Sequence, residues 1–195
     1  DYGYLGSTQV SKEILERIDL TPELVLSFAD TYEDDISGFA TYEEYEMWEQ
    51  IDSINSSRAQ SLIEESGIDV LLVMAWQELL EPEVLEIPRH GCLGRHLSLL
   101  PKRRGRAPVA WALIHGLEKT GVTLFWLDEG VDSGDIVAQR DVGIDPDDEA
   151  HDLHEKMTDT TVAVLEDTIA TFESGEFPRT PQDDSVATYT HARRP

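Results

Sequence analysis

Residues 69–75 read Asp-Val-Leu-Leu-Val-Met-Ala, an apolar run with no polar face. A run of this kind is expected of a strand buried on both sides, the position of a central strand in a sheet. Around it, short apolar runs alternate with helical stretches, and that alternation predicts an α/β fold with a mostly parallel central sheet flanked by helices. Tyr4-Leu5 reads as the end of a first strand, Gly6-Ser7-Thr8 as a turn, and 9–18 as a helix. A second strand is expected over 24–28. A helix is expected over 56–66, with Ala59, Leu62 and Ile63 on one face and Gly67 as its stop. Further helices are expected over 82–86 and 109–115, and further strands over 122–127 and 135–139, joined by a turn. A long amphipathic helix over 150–172 carries Leu153, Met157, Val162, Leu165, Ile169 and Phe172 among its apolar positions. Beyond Gly175 the chain reads as irregular.

Charge and cysteine content narrow the function classes. Fifteen Lys and Arg against forty Asp and Glu give a formal net charge of −25, which repels phosphate backbones and anionic membranes. Nucleic acid and membrane are therefore not the expected partners, and the acidic surface fits solubility at high salt. Cys92 is the only cysteine, so no internal disulfide and no multi-cysteine zinc site can form. Beside an apolar run it reads as an inert core thiol. His151 and His154 fall at i and i+3 on the long helix without a third ligand in register, so no metal is expected. No stretch approaches the roughly 18 consecutive apolar residues of a membrane span. The opening residues show no signal peptide either, and a cytoplasmic protein is expected. The chain begins without Met and ends abruptly at His191-Ala-Arg-Arg-Pro195, which reads as truncation.

The chemistry concentrates in two segments. In the first, Gly94-Arg-His-Leu-Ser-Leu-Leu-Pro-Lys-Arg-Arg-Gly-Arg-Ala-Pro108, an apolar lead-in delivers His96 to a strand end, where open α/β sheets bind ligands. Ser98 is spaced to hydrogen-bond local backbone, and Pro101 and Gly105 shape a loop before Pro108 opens a helix. Arg89, Arg95, Lys102, Arg103, Arg104 and Arg106 are six of the fifteen basic residues, a local positive island suited to an anion. The second, Thr120-Gly-Val-Thr followed by Asp128-Glu-Gly-Val-Asp-Ser-Gly-Asp-Ile136, gathers Asp128, Asp132 and Asp135 into one turn. Asp128 and Asp135 read as ordinary turn residues.

Together, His-x-Ser-Leu-Leu-Pro-x-x-Arg-Gly-x-x-Pro, Thr-Gly-Val-Thr and Asp-x-Gly-x-Asp-Ser-Gly-Asp-Ile are similar to the motifs of the formyl transferase family. The resemblance runs from about Asp69 to Gln182 and faintly back to Gly6. It implies a Rossmann-like catalytic domain over 1–180, with 181–195 beginning a C-terminal extension. It also implies 10-formyltetrahydrofolate as co-substrate, a primary amine as acceptor and no metal, with the oligomeric state open. His96 matches the catalytic histidine, able to stabilise an oxyanion and move protons, and Asp132 the aspartate that orients it. The pterin pocket would draw on Trp76, Gln77, Leu79, Leu80 and the Glu129, Gly130 and Val131 backbone. The acceptor side would draw on Gly6, Ser7 and Ser98, where a turn amide or hydroxyl can meet an anionic group.

The sequence departs from the family at Gly94, where an asparagine normally precedes the histidine by two residues. Losing such an oxyanion donor costs roughly 100- to 1,000-fold in turnover elsewhere, and Arg95 is the neighbour that could replace it. A non-catalytic folate-binding pseudoenzyme is therefore a standing alternative. For the acceptor, Gly105-Arg-Ala-Pro108 followed by Trp111 resembles the amino-sugar branch of the family. An amino sugar or nucleotide-linked amino sugar is expected, its diphosphate held by Lys102, Arg103, Arg104 and Arg106. Methionyl-tRNA is the alternative acceptor.

Overall fold

A computed structural model describes residues 1–30 and 38–192. Two compact units divide the chain, Asp1–Gly94 and Arg95–Pro195.

The first unit is built on parallel strands. Their order is β3 (Trp48–Ile51), β2 (Leu24–Phe28), β1 (Tyr2–Leu5), β4 (Val70–Val73) and β5 (Gly91–His96), whose last two residues lie beyond the boundary. All four residues of β4 are buried, as the continuous apolar run requires. Strand order reverses direction between β1 and β4, so their C-terminal ends form the switch point where open α/β sheets bind ligands. Gly6-Ser7 and Ala75-Trp76 leave the sheet there. The helices α1 (Gln9–Arg17), α2 (Ser57–Ser66) and α3 (Pro82–Leu85) fill the crossovers. Each of the first two starts at a hydroxyl cap. Thr8 Oγ1 accepts from Ser11 N while Ser11 Oγ accepts from Thr8 N, and Ser56 Oγ accepts from Ala59 N. Gly67, at φ 62°, ends α2 in the left-handed conformation the sequence predicts. Strand β3 is not foreseen from sequence, because Trp48-Glu-Gln-Ile51 is half-exposed at the edge of this sheet and lacks clean alternation.

The second unit contains β6 (Arg104–Gly105), α4 (Pro108–Ile114), β7 (Lys119–Trp126), β8 (Ile136–Gly143), α5 (Ala150–Glu173) and β9 (Tyr189–Thr190). Strands β7 and β8 form an antiparallel hairpin longer than hydropathy predicts. Pairing runs from Lys119↔Gly143 inward, and in β8 the polar Gln139, Arg140 and Asp141 are exposed while Val142 is buried. Helix α5 packs against β7, β8 and α4, burying Leu153, Met157 and Leu165 completely. The chain after Gly175 is not irregular throughout. It includes a 3-10 turn at Asp184–Val186 and pairs β9 in parallel with β6. Residues 181–192, expected to begin an extension, are thus hydrogen-bonded within the second unit. Among the described residues no helix is long and apolar enough to cross a membrane.

Cutting a buried side chain leaves a cavity, whereas trimming an exposed one does not. Leu165→Ala is therefore expected to cost about 2–5 kcal/mol in urea unfolding. Ile114→Ala, at a position 57% exposed, is expected to stay within about 0.5 kcal/mol of the parent.

Candidate active site

His96 is the last residue of β5 and is 7% exposed. Its Nε2 lies 2.7 Å from the carbonyl oxygen of Arg103, an atom that can only accept, so this nitrogen carries a proton. Its Nδ1 faces Asp132 Oδ2 at 3.5 Å. The two contacts fix the plane of the ring, with its Nδ1 edge turned to the carboxylate. Asp132 Oδ2 also accepts a 2.7 Å hydrogen bond from the backbone N–H of Gly105.

Two residues of this cluster adopt positive φ without being glycine: Arg103 at 60° and Asp132 at 53°. That region costs an L-residue roughly 1–2 kcal/mol, with aspartate among the more tolerant types. The surroundings hold both. The Arg103 N–H donates to Thr188 Oγ1 at 2.9 Å, and Gln182 Nε2 donates to the carbonyls of Asp132 and Gly134 at 2.9 and 2.7 Å. Gly134 has to be small, because a Cβ there would run into the Trp126 carbonyl oxygen. Asp128 shapes the rest of the turn, accepting from Gly130 N and Ser133 Oγ.

Several expected contacts resolve differently. Ser98 is fully buried and donates to the Lys102 carbonyl at 2.7 Å, the local backbone bond its spacing predicts, which turns its hydroxyl into the loop and away from an acceptor. Arg104 leaves the positive island: it is 2% exposed and committed to Gln182, Asp184 and Tyr189, which makes it unavailable to a diphosphate. Lys102 and Arg106 stay exposed and Arg103 half-exposed. Arg95 follows the strand's alternation, and its guanidinium reaches Thr161 on α5 at 3.1 Å. It is engaged with that helix, on the face opposite His96, and does not replace the donor missing at Gly94. Burial, with the charges of Arg95 and His151, holds the His154 imidazole below its usual range. His151 lies 3.2 Å from Glu155. Among the described residues no cluster of three or more metal-ligating side chains occurs.

In the first unit, Ser7 is buried and accepts from Phe28 N at 2.6 Å, a brace between β1 and β2 that keeps its hydroxyl from a substrate. Gly6 is close-packed, since a Cβ there would meet the Ser11 side chain. Trp76 stacks on Phe28 with centroids 3.9 Å apart, and its buried indole N–H has no partner among the described residues. Ala75 precedes it at φ 52°. Gln77 and Leu79 are exposed, and Leu80 is half-exposed. An unpaired aromatic N–H beside exposed apolar surface fits a flat heterocycle with polar edges, as a pterin is. Glu129, Gly130 and Val131 are exposed on the turn of the second unit.

Gln182, Thr188 and Tyr189 escape sequence reasoning. Their partners lie 48 to 85 residues away, and no local pattern marks them.

The family model described as "Formyl transferase" matches residues 33–169. The methionyl-tRNA formyltransferase of Clostridioides difficile (strain 630) is 43% identical over 121 residues, covering 62% of this chain and 39% of that protein. That of Geobacter metallireducens is 36% identical over 140 residues, 72% of this chain and 45% of the relative. The match thus spans less than half the length of these curated relatives. Among solved structures, the N-formyltransferase from Helicobacter canadensis, in complex with folinic acid and dTDP-3-aminofucose, superposes with a TM-score of 0.73 at 17% identity. That match covers 97% of this chain and 70% of the other. The likeness shows the same fold.

Two outcomes check the site's construction. Gly105 combines φ of 100° with a Cβ position blocked by the Thr190 carbonyl. Gly105→Ala is therefore expected to destabilise the chain by about 1–3 kcal/mol, with loss of the Asp132 contact, as read by thermal unfolding and amide shifts. Burial pushes the Cys92 thiol up to about 12, so a thiol reagent at pH 8 should leave the folded chain unlabelled and label it only on unfolding.

Proposed function

The chain belongs to the formyl transferase family, and from that premise we propose that it moves a formyl group from 10-formyltetrahydrofolate to a primary amine. The observation that carries the reading is the His96–Asp132 pair, 3.5 Å apart and mostly shielded from water. The co-substrate supplies an activated formyl group bound to nitrogen. In the transfer one C–N bond forms, another breaks, and the proton lost by the amine must end on the departing nitrogen. His96 is held at Nε2 by the Arg103 carbonyl, so its Nδ1 edge is the one that works. A charged ring there offsets negative charge growing on the formyl oxygen. Asp132 orients that ring, and its carboxylate is placed to take the proton the amine loses and hand it to the departing nitrogen. Trp76, with Gln77 and Leu80, would hold the pterin, the unpaired indole N–H supplying a donor.

For the acceptor, methionyl-tRNA takes precedence over the amino sugar that the 102–111 segment suggests, because the curated relatives carry that name. The amino-sugar reading stays second. It is supported by Lys102, Arg103 and Arg106, which keep a cationic surface on a chain of net charge −25. Without Arg104 this island is smaller than the sequence implies.

A transfer assay with labelled 10-formyltetrahydrofolate, offered methionyl-tRNA and a panel of nucleotide-linked amino sugars in parallel, tests the reading. Product is expected with one acceptor class and is expected to vanish in His96→Ala. Gly94→Asn should raise the rate by about ten-fold or more if the missing donor limits turnover. Tight folate binding with no product from any acceptor, before and after Gly94→Asn, would sink the enzyme reading in favour of a binding module.

A further inference from the structure

A second hold on Asp132, beside the Gly105 N–H, comes from the far end of the chain. Gln182 donates from Nε2 to the carbonyls of Asp132 and Gly134, and its Oε1 accepts from Arg104 Nε and Nη2 at 3.1 and 2.8 Å. The orientation of this carboxamide is unambiguous: Arg104 can only donate, and main-chain carbonyls can only accept. Arg104 is itself fixed by Asp184 Oδ1 at 2.8 Å and by the Tyr189 hydroxyl at 3.0 Å. The backbone N–H groups of Arg104 and Arg106 bond the carbonyls of Thr188 and Thr190. Trp126 anchors the segment's entry, its Nε1 donating to the Pro178 carbonyl and its ring lying 4.4 Å under the Arg179 guanidinium. One strap, residues 178–191, therefore grips both the loop that presents Arg103 to His96 and the turn that presents Asp132.

We propose that Gln182, supported by Arg104, is a positioning residue for the Asp132 carboxylate. The proposal rests on the formyl-transfer reading of His96 and Asp132 but can fail separately from it. Gln182 touches neither reactant. It pins two carbonyls flanking Ser133, and so keeps Asp132 in its left-handed conformation with Oδ2 between Gly105 N and His96 Nδ1. Without that pin the turn relaxes, and the carboxylate leaves the imidazole while the sheet and helices stay intact.

The test uses Gln182→Ala and Gln182→Glu in the whole chain, the second preserving a partner for Arg104 while turning an acceptor toward the two carbonyls. Amide hydrogen exchange at Gly105, whose N–H bonds Asp132 Oδ2, reports the carboxylate without any catalytic assay. It is expected to speed up by about ten-fold or more in both variants, with the β7 amides unchanged. In the transfer assay kcat is expected to fall roughly ten- to a hundred-fold, with KM for the folate shifted less than about three-fold. In an Asp132→Asn background, Gln182→Ala is expected to cost less than about two-fold more, because the group it positions is already disabled. Unchanged Gly105 exchange would overturn the proposal. So would a loss that multiplies in full on Asp132→Asn, or one that tracks general loosening of the β7 amides. If the parent chain transfers formyl to nothing, the catalytic reading fails while the exchange result still decides the positioning claim.

Discussion

A guanidinium taken out of water costs several kcal/mol unless its donors are met, and Arg104 is 2% exposed. The chain meets that demand with residues 78 to 85 positions further on, Gln182, Asp184 and Tyr189. The course of the chain after α5 follows from this one requirement. The segment after α5 is drawn across the loop that carries Arg103 and Gly105, a short parallel ladder forms between β6 and β9, and the carboxamide that satisfies Arg104 also pins the Asp132 turn. His96 and Asp132 are brought together by two backbone groups and one side chain: Arg103 O on the imidazole, Gly105 N on the carboxylate, and the Gln182 carboxamide on the turn.

The parts legible in the sequence are those whose signals are local. The 69–75 run announces a buried strand because both its faces are apolar, and β4 is that strand. Helices α1, α2 and α5 follow from periodicity, and the end of α2 from Gly67. Strand β3 stays hidden because an edge strand needs little hydrophobic pattern, and the outer half of β8 because its exposed residues are polar. His96 and Asp132 are visible through motif resemblance, not through any property of a lone histidine or a turn aspartate. Burial is the variable that sequence hides best. Arg104, Ser98 and Ser7 all look like surface groups available to an anion, yet each is spent on internal hydrogen bonds.

Charge distribution gives the site its remaining character. A surface of net charge −25 disfavours any polyanion at long range, and salt shortens that repulsion to roughly 10 Å at 0.1 M. Against it stand the exposed Lys102 and Arg106, close in sequence to the loop that contacts His96. A phosphate-bearing acceptor would meet attraction near this loop, which suits a small charged headgroup or one end of a larger molecule. Gly94 sharpens the same question from the chemical side, since the missing side chain leaves oxyanion stabilisation to His96.

The central claim is that Asp132, acting on His96, makes this pair a catalytic centre. Single-turnover formyl transfer by Asp132→Asn, measured beside folate binding by fluorescence, tests it most directly. The account predicts transfer slowed by roughly a hundred-fold or more, at a folate affinity within about three-fold of the parent. Transfer at the parental rate, with the carboxylate gone and the fold intact, would contradict it.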